Sequence, residues 1–178
     1  MLTQSDVKAL LDYDPETGVF VWRERGPKSW HINRWNSRYA GTVAGKRSSS
    51  GHTLITISKR SYCAHRLAWV WVHGDWPPHQ VDHINGKRDD NRLANLRLAT
   101  HKQNLRNQTT RRSSQSGFKG VTFHKGAGRW MARITVDGKM RYLGLFETAA
   151  DAATAYRQAA VSMFGEFASW RPAMTSSN

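Results

Sequence analysis

Apolar and polar positions follow two rhythms along this chain of 178 residues, a helical spacing and a strand alternation. Thr3 to Leu11 puts Val7, Leu10 and Leu11 on one face and predicts a short helix. Asp14-Pro15-Glu16-Thr17-Gly18 carries Pro and Gly where a turn needs them, and Val19 to Trp22 then reads as a strand. Residues 23–51 are rich in Arg, Gly, Ser and Asn, and no period emerges from them. Thr53 to Ser58 alternates as a strand, with Ser61 to Ala64 as its hairpin partner. Ala64 to His73 is apolar and aromatic, a buried helix stopped by Gly74 and the Pro77-Pro78 pair. Val81 to Gly86 is a short strand running into a glycine turn. Lys87 to Arg92 is a charged loop, and Asn95 to Ala99 is a second strand. Thr100 and Gln103 have capping-box spacing, so Asn104 falls in the first turns of a helix. Strand, loop, strand and helix make a compact ββα unit.

The rhythm changes after residue 108. Residues 109–116 form a polar linker of Thr, Arg and Ser with no period, a flexible tether. Phe118 to His124, Arg129 to Val136 and Lys139 to Leu143 then read as three strands, joined by Gly126-Ala127-Gly128 and by the hairpin pair Asp137-Gly138. Thr148 and Asp151 cap a helix that Gly165 ends, with Ala152, Tyr156, Ala159 and Met163 on one face. Ala132, Ile134 and Val136 are expected to pack beneath it. The fold class is therefore α+β: a ββα unit with a β-rich N-terminal extension, then a three-stranded antiparallel sheet packed on one helix. The expected domains are residues 1–108, with the ββα core at 81–108, and residues 117–170, followed by a tail at 171–178.

Charge narrows the partner. There are 27 Lys and Arg against 13 Asp and Glu, a net charge of +14. The excess is spread over the whole chain, so a polyanion, double-stranded DNA first, is the expected partner. Cys63 is the only cysteine, which excludes an intramolecular disulfide, and Cys-rich zinc spacings are absent. A site built from Cys63 and His65 has no spacing to support it. No run of about 18 apolar residues could span a membrane. A cytoplasmic protein is expected, monomer or homodimer, with no protein partner implied.

The chemistry lies in the ββα segment. Asp82 is a hard oxygen ligand suited to Mg²⁺ or Mn²⁺. His83 is a base with an ordinary pKa of about 6.5. Asn104 offers an amide oxygen from the helix. Adjacent residues on a strand face opposite sides, so Asp82 and His83 serve one site only if the strand ends or bends there. This constellation, Asp82-His83, then Asn95, then Asn104, resembles the signature of phage-type His-Asn-His (HNH) endonucleases. Ala64 to Trp69, Asp90 to Arg92, Asn95 to Arg97 and Tyr13 to Trp22 are also similar to that family. The resemblance covers roughly residues 13–107. It implies that His83 activates water against a phosphodiester and that Asp82 and Asn104 hold one divalent ion. It also implies that Asn95 braces the loop and orients the His83 ring, and that the products carry 5′-phosphate and 3′-hydroxyl ends. Arg66, Arg92, Arg97 and Arg106 are candidate phosphate contacts. His65 is either a supporting or phosphate-contacting residue of the site or a structural histidine beside Trp69. Asn85 and Asn91 are read as loop-shaping, and the remaining histidines, His52 among them, carry no argument.

The second module resembles the Apetala-type (ethylene-response-factor-like) DNA-binding domain. The matching residues are Gly120-Val121, Gly128 to Ala132, Tyr142 to Phe146 and Ala149 to Tyr156. That implies a sheet entering a groove through Arg129, Trp130, Arg133 and Tyr142, with Trp130 equally open to a core role. Thr122, Thr135 and Met140 stand where plant members carry base-reading Arg, and Tyr142 where a Trp is usual, so the target sequence does not carry over. The reading is a homing-like phage endonuclease whose second domain aids site choice. A catalytically inactive DNA-binding regulator on the same folds is the alternative, and an RNA-binding protein ranks last.

Overall fold

The computed structural model describes residues 2–27, 29–107 and 115–168. The expected tail, 171–178, lies outside them, as does most of the expected linker, with only Gln115 and Ser116 described. Contacts divide the chain into two units, Met1–Thr100 and His101–Asn178.

The first unit opens with α1 (Gln4–Leu10), capped by a reciprocal box between Thr3 and Asp6. β1 (Leu11–Asp14) follows at once and pairs antiparallel with β2 (Val19–Trp22) across the expected turn. Then come α2 (Trp30–Tyr39), β3 (Lys46–Arg47), β4 (Thr53–Ile57) and β5 (Arg60–Cys63), the three strands ordered β3-β4-β5. α3 (Ala64–His73) ends at Gly74, whose φ of 96° suits only glycine. β6 (Gln80–His83) and β7 (Leu96–Ala99) form a separate antiparallel pair. Val7, Leu11, Phe20, Ile55, Leu67 and Val70 are fully buried in one core. That core fixes α3 against α1 and β4, and so holds the scaffold behind β6.

The second unit begins with α4 (His101–Asn107). A three-stranded antiparallel sheet follows in the order β10-β9-β8: β8 (Val121–His124), β9 (Arg129–Val136) and β10 (Lys139–Phe146). α5 (Ala149–Phe164) packs across all three strands, capped by Thr148. Ala132, Ala152 and Ala160 are wholly buried between helix and sheet, so small side chains let the two layers approach closely. The molecule is thus a mixed α and β protein with four small antiparallel sheets among the described residues.

Several elements depart from expectation for visible reasons. α2 occupies part of the segment in which composition masked the period: Ile32, Trp35 and Tyr39 share one face at helical spacing, but none of the helix's residues is fully buried. It is held by Ser29 at its N-cap and by Asn36, which exchanges two hydrogen bonds with the Arg25 backbone. The Arg25 guanidinium lies 3.6 Å from the Trp35 ring centroid. Leu11 belongs to β1 rather than to the first helix. Asn95 lies in a single 3-10 turn (Leu93–Asn95) ahead of β7. β8 starts at Val121 because Gly120 has φ 72° and lies too close to the Tyr156 ring for any Cβ. β10 runs on to Phe146 through a bulge between Tyr142 and Gly144.

Candidate active site and nucleic-acid interface

Register decides what Asp82 meets. In the β6–β7 pair Asp82 stands opposite Arg97, and directly opposed residues share a face. The Arg97 Nε and Nη2 both donate to Asp82 Oδ2 at 3.0 Å. Both side chains are buried, 11% and 6% exposed, so this is an interior ion pair and not a surface one. His83 ends the strand. The chain then turns, with Gly86 N donating to His83 O, and its φ of 70° accepted because it is glycine.

The loop between the strands is tied from inside. Asn95 Oδ1 accepts from Asn85 N at 2.9 Å, while its Nδ2 donates to Asn85 Oδ1 at 3.0 Å and Asp90 O at 2.8 Å. Arg92 grips Asp90 with two hydrogen bonds of 2.8 and 2.7 Å, and this pairing holds the Asp90 carboxyl well below the usual carboxylate range. Asn95 therefore braces the loop. The bond to the His83 ring comes from Asn91, whose buried Oδ1 sits 3.3 Å from His83 Nε2. Asn91 is fixed in turn by the N-terminal hairpin. Tyr13 Oη donates to Asn91 O at 2.7 Å, and Leu93 N donates to Pro15 O at 3.0 Å. Gly18, at φ 73°, fits so closely against the Asn91–Arg92 backbone that a Cβ there would overlap it. The turn at residues 14–18 is thus a buttress for the loop between β6 and β7.

His83 faces two further histidines. Its ring centroid lies 4.9 Å from that of His65 and 6.0 Å from that of His52, which are 5.2 Å from each other. His52 reaches the group because Arg88 Nη1 donates to Ser50 O at 2.8 Å and ties the turn before β4 to the loop. Ser50 Oγ lies 3.0 Å from His52 Nδ1. Burial lowers the pKa of all three rings. For His52 and His65 neighbouring positive charge adds to it, and His65 falls to about 3. For His83 the Asn91 bond and the carboxylates of Asp82 and Asp90 act against burial, yet the net direction is down. Its imidazole is therefore neutral near pH 7, the form a general base needs.

The other candidates are placed as follows. Arg66, on α3, lies 5.5 Å from the Trp76 ring centroid. Trp69 stacks on His73 at 4.1 Å and leaves His65 to the histidine group. Asn104 and Arg106 lie on α4 in the second unit, where Arg106 reaches Asp137 and the Phe164 ring. On the sheet, Tyr142 stands opposite Arg133 and Met140 opposite Thr135, with Tyr142 and Met140 62% and 63% exposed. Arg129 is exposed at the start of β9. Trp130 is half-buried and meets Phe123 edge-on at 5.1 Å, on the face shared with buried Ala132 and Ile134. Asn91 and His52 are the residues that sequence reasoning passed over. Asn91 was visible only as one of several loop asparagines, and His52 comes from a segment 31 positions before His83, a pairing made by folding alone.

A divalent ion fits the residue chemistry here. Asp82 supplies a hard oxygen, already engaged by Arg97, and three neutral imidazoles supply nitrogen donors whose ligand atoms lie within 4.8 Å of one another.

Residues 62–106 match the HNH endonuclease family. That HNH segment contains α3, β6, β7 and most of α4, hence His65, Asp82, His83, Asn91, Asn95 and Asn104. The chain is also similar to Protein 3.8 of Escherichia phage T7, 37% identical over 76 residues, which are 42% of this chain and 63% of that protein. A C-terminal segment is similar to an AP2-like ethylene-responsive transcription factor of Arabidopsis thaliana, 50% identical over 54 residues. An APETALA2-like protein 2 of Oryza sativa subsp. indica is 48% identical over 54 residues. These stretches cover 30% of this chain but only 11% and 12% of the two plant proteins. The chain thus spans under two thirds of the phage relative and about a tenth of the plant ones. No solved structure matches it. No helix among the described residues is long and apolar enough to cross a membrane.

Proposed function

We propose that the chain is a metal-dependent DNA endonuclease in which His83 is the general base. The observation that carries this reading is a buried, neutral imidazole fixed by Asn91 at the end of β6, inside the segment that matches the HNH family. In this reading the Asn91 side-chain oxygen accepts from His83 Nε2–H and fixes the ring tautomer, which makes Nδ1 the basic nitrogen of the pair. The fixed ring places the attacking water without further reorganisation. Asn95 and Asp90 keep the loop, and so Asn91, in place. Asp82 would hold a divalent ion, with Mg²⁺ or Mn²⁺ the expected choice, and Asn104 keeps the ligand role that the resemblance implies. Such an ion, when bound, neutralises charge on the phosphate and the leaving 3′-oxygen. Arg97 then has two tasks: it balances Asp82 and it is a cation at the edge of the site. Arg66, Arg92 and Arg106 remain proposed phosphate contacts, with Arg92 committed chiefly to Asp90.

The sheet of the second unit is the proposed groove reader. Arg129, Arg133 and Tyr142 give it a cationic and aromatic outer surface, while Trp130 supports that surface from the core side. We take residues 1–108 as the nuclease domain and 117–170 as the module that aids site choice, acting inside a phage-infected or bacterial cell as monomer or homodimer. The competing reading, an inactive DNA-binding regulator, draws on one observation, the closed Asp82–Arg97 pair.

Incubation of supercoiled plasmid with the protein and Mg²⁺ or Mn²⁺ tests the reading. It predicts nicked or linear product, absent with EDTA, whose ends ligase can rejoin. Binding without cleavage under every metal would favour the regulator.

A further inference from the structure

The three histidines are more than the surroundings of one base. Among the described residues they are the one group of three or more His, Cys, Asp or Glu side chains placed to share an ion. We propose that His52, His65 and His83 form a three-imidazole site for a borderline divalent ion such as Zn²⁺, separate in chemistry from the oxygen site expected for Mg²⁺, and that filling it takes His83 out of the nuclease reaction.

Three neutral nitrogens suit zinc, cobalt or nickel, whereas Mg²⁺ demands oxygen donors. A four-coordinate zinc with bonds of about 2.0–2.1 Å needs ligand nitrogens roughly 3.3 Å apart. The present spread of up to 4.8 Å closes by small ring movements, and half-buried His52 has the most room to make them. Two rings already carry the outer hydrogen bond that orients a metal-binding imidazole: His52 to Ser50 and His83 to Asn91. The third, His65, has a buried Nδ1 with no hydrogen-bond partner. A buried polar atom without a partner calls for an explanation, and a site completed by an ion supplies one. The carboxylates of Asp82 and Asp90 act on His83 with the sign that favours a cation, and Arg88 opposes them from the His52 side. Three protein ligands leave a fourth position to water.

Binding does not depend on the nuclease reading; the inhibitory half rests on it. The full chain is titrated with Co²⁺ and the visible ligand-field spectrum recorded. The expected result is one equivalent bound with the intense band of a tetrahedral ion, displaced by Zn²⁺ and untouched by excess Mg²⁺. His52→Gln should weaken binding about tenfold or more, His65→Gln should do the same, and His124→Gln, a histidine on β8, should change nothing. Circular dichroism checks that each variant is folded. A weak octahedral spectrum, or unchanged affinity in folded His52→Gln, overturns the site. Stoichiometric Zn²⁺ should also stop Mg²⁺-supported plasmid cleavage, and cleavage undiminished or supported by Zn²⁺ overturns the inhibitory half. Absence of cleavage with any metal would defeat the nuclease reading while the cobalt spectrum still decides the site.

Discussion

Arg97→Met isolates the electrostatic problem at the centre of the site. Methionine keeps much of the arginine stem but removes both donors to Asp82 Oδ2. The carboxylate it abandons is only 6% exposed, so water compensates poorly for the lost donors. Breaking a buried ion pair in this way costs about 3–5 kcal/mol, a fifth or more of the stability of a typical domain at roughly 5–15 kcal/mol. Asp82→Asn combined with Arg97→Met should recover most of the loss, because the stranded charge is then gone. Divalent ion should recover part of it too. An ion binding Asp82 at 100 times its dissociation constant contributes about 2.7 kcal/mol by mass action. The assay is urea unfolding followed by tryptophan fluorescence, with Trp22, Trp35, Trp69, Trp71 and Trp76 reporting on the first unit. Four proteins are compared: wild type, each single variant and the double, with and without Mg²⁺. A loss under about 1 kcal/mol in Arg97→Met, or a double variant no better than that single, would refute the claim that the pair is interior and mutually dependent.

Three other outcomes follow from the same geometry. Asn91→Ala removes the ring's side-chain anchor and should lower cleavage about 10–100-fold, the usual effect of losing an orienting partner; unchanged turnover in the folded variant would show that His83 is positioned without it. Burial raises the Tyr13 and Tyr156 hydroxyls from 10.0 to about 12, so the folded state favours their neutral forms. Their stabilisation is complete below pH 10 and is lost as pH climbs from 10 through 12. Ultraviolet absorbance should show two of the five tyrosines ionising last, and Tyr13→Phe should remove one of the two. Arg133→Ala with Tyr142→Ala should weaken duplex binding on the order of tenfold or more without changing thermal stability, since Tyr142 is exposed and Arg133 lies on the face away from the helix; equal affinity in a gel-shift titration would remove the sheet from the interface.

Much of this arrangement was legible in the sequence because local chemistry dictated it. The limits of α3 were marked by Gly74 after an apolar run, and β9 with its hairpin by Asp137-Gly138. Asp82 and His83 were visible because they sit together before a glycine turn. What was not legible depended on distant partners or on an absence of burial. The stripe of α2, Ile32, Trp35 and Tyr39, is set among Arg, Asn and Ser and fully buries no residue, so it does not stand out. Nothing near Arg97 says that it faces Asp82, which follows only from the register of β6 with β7. Nothing near Tyr13 says that it anchors Asn91, 78 positions away. His52 joins His65 and His83 only after Arg88 has tied the turn at Ser50 to the loop. The half-burial of Trp130 follows from its alternation with Ala132 and Ile134 on the helix side of β9, which the bare pattern left open between core and contact.

The measurement that bears most directly on the account is plasmid cleavage by wild type and His83→Ala in Mg²⁺, with DNA affinity measured on the same preparations. The account predicts nicked or linear product from wild type, loss of cleavage in His83→Ala and retained binding in both. Cleavage that survives the substitution would contradict it, because the chemistry would then lie on another residue.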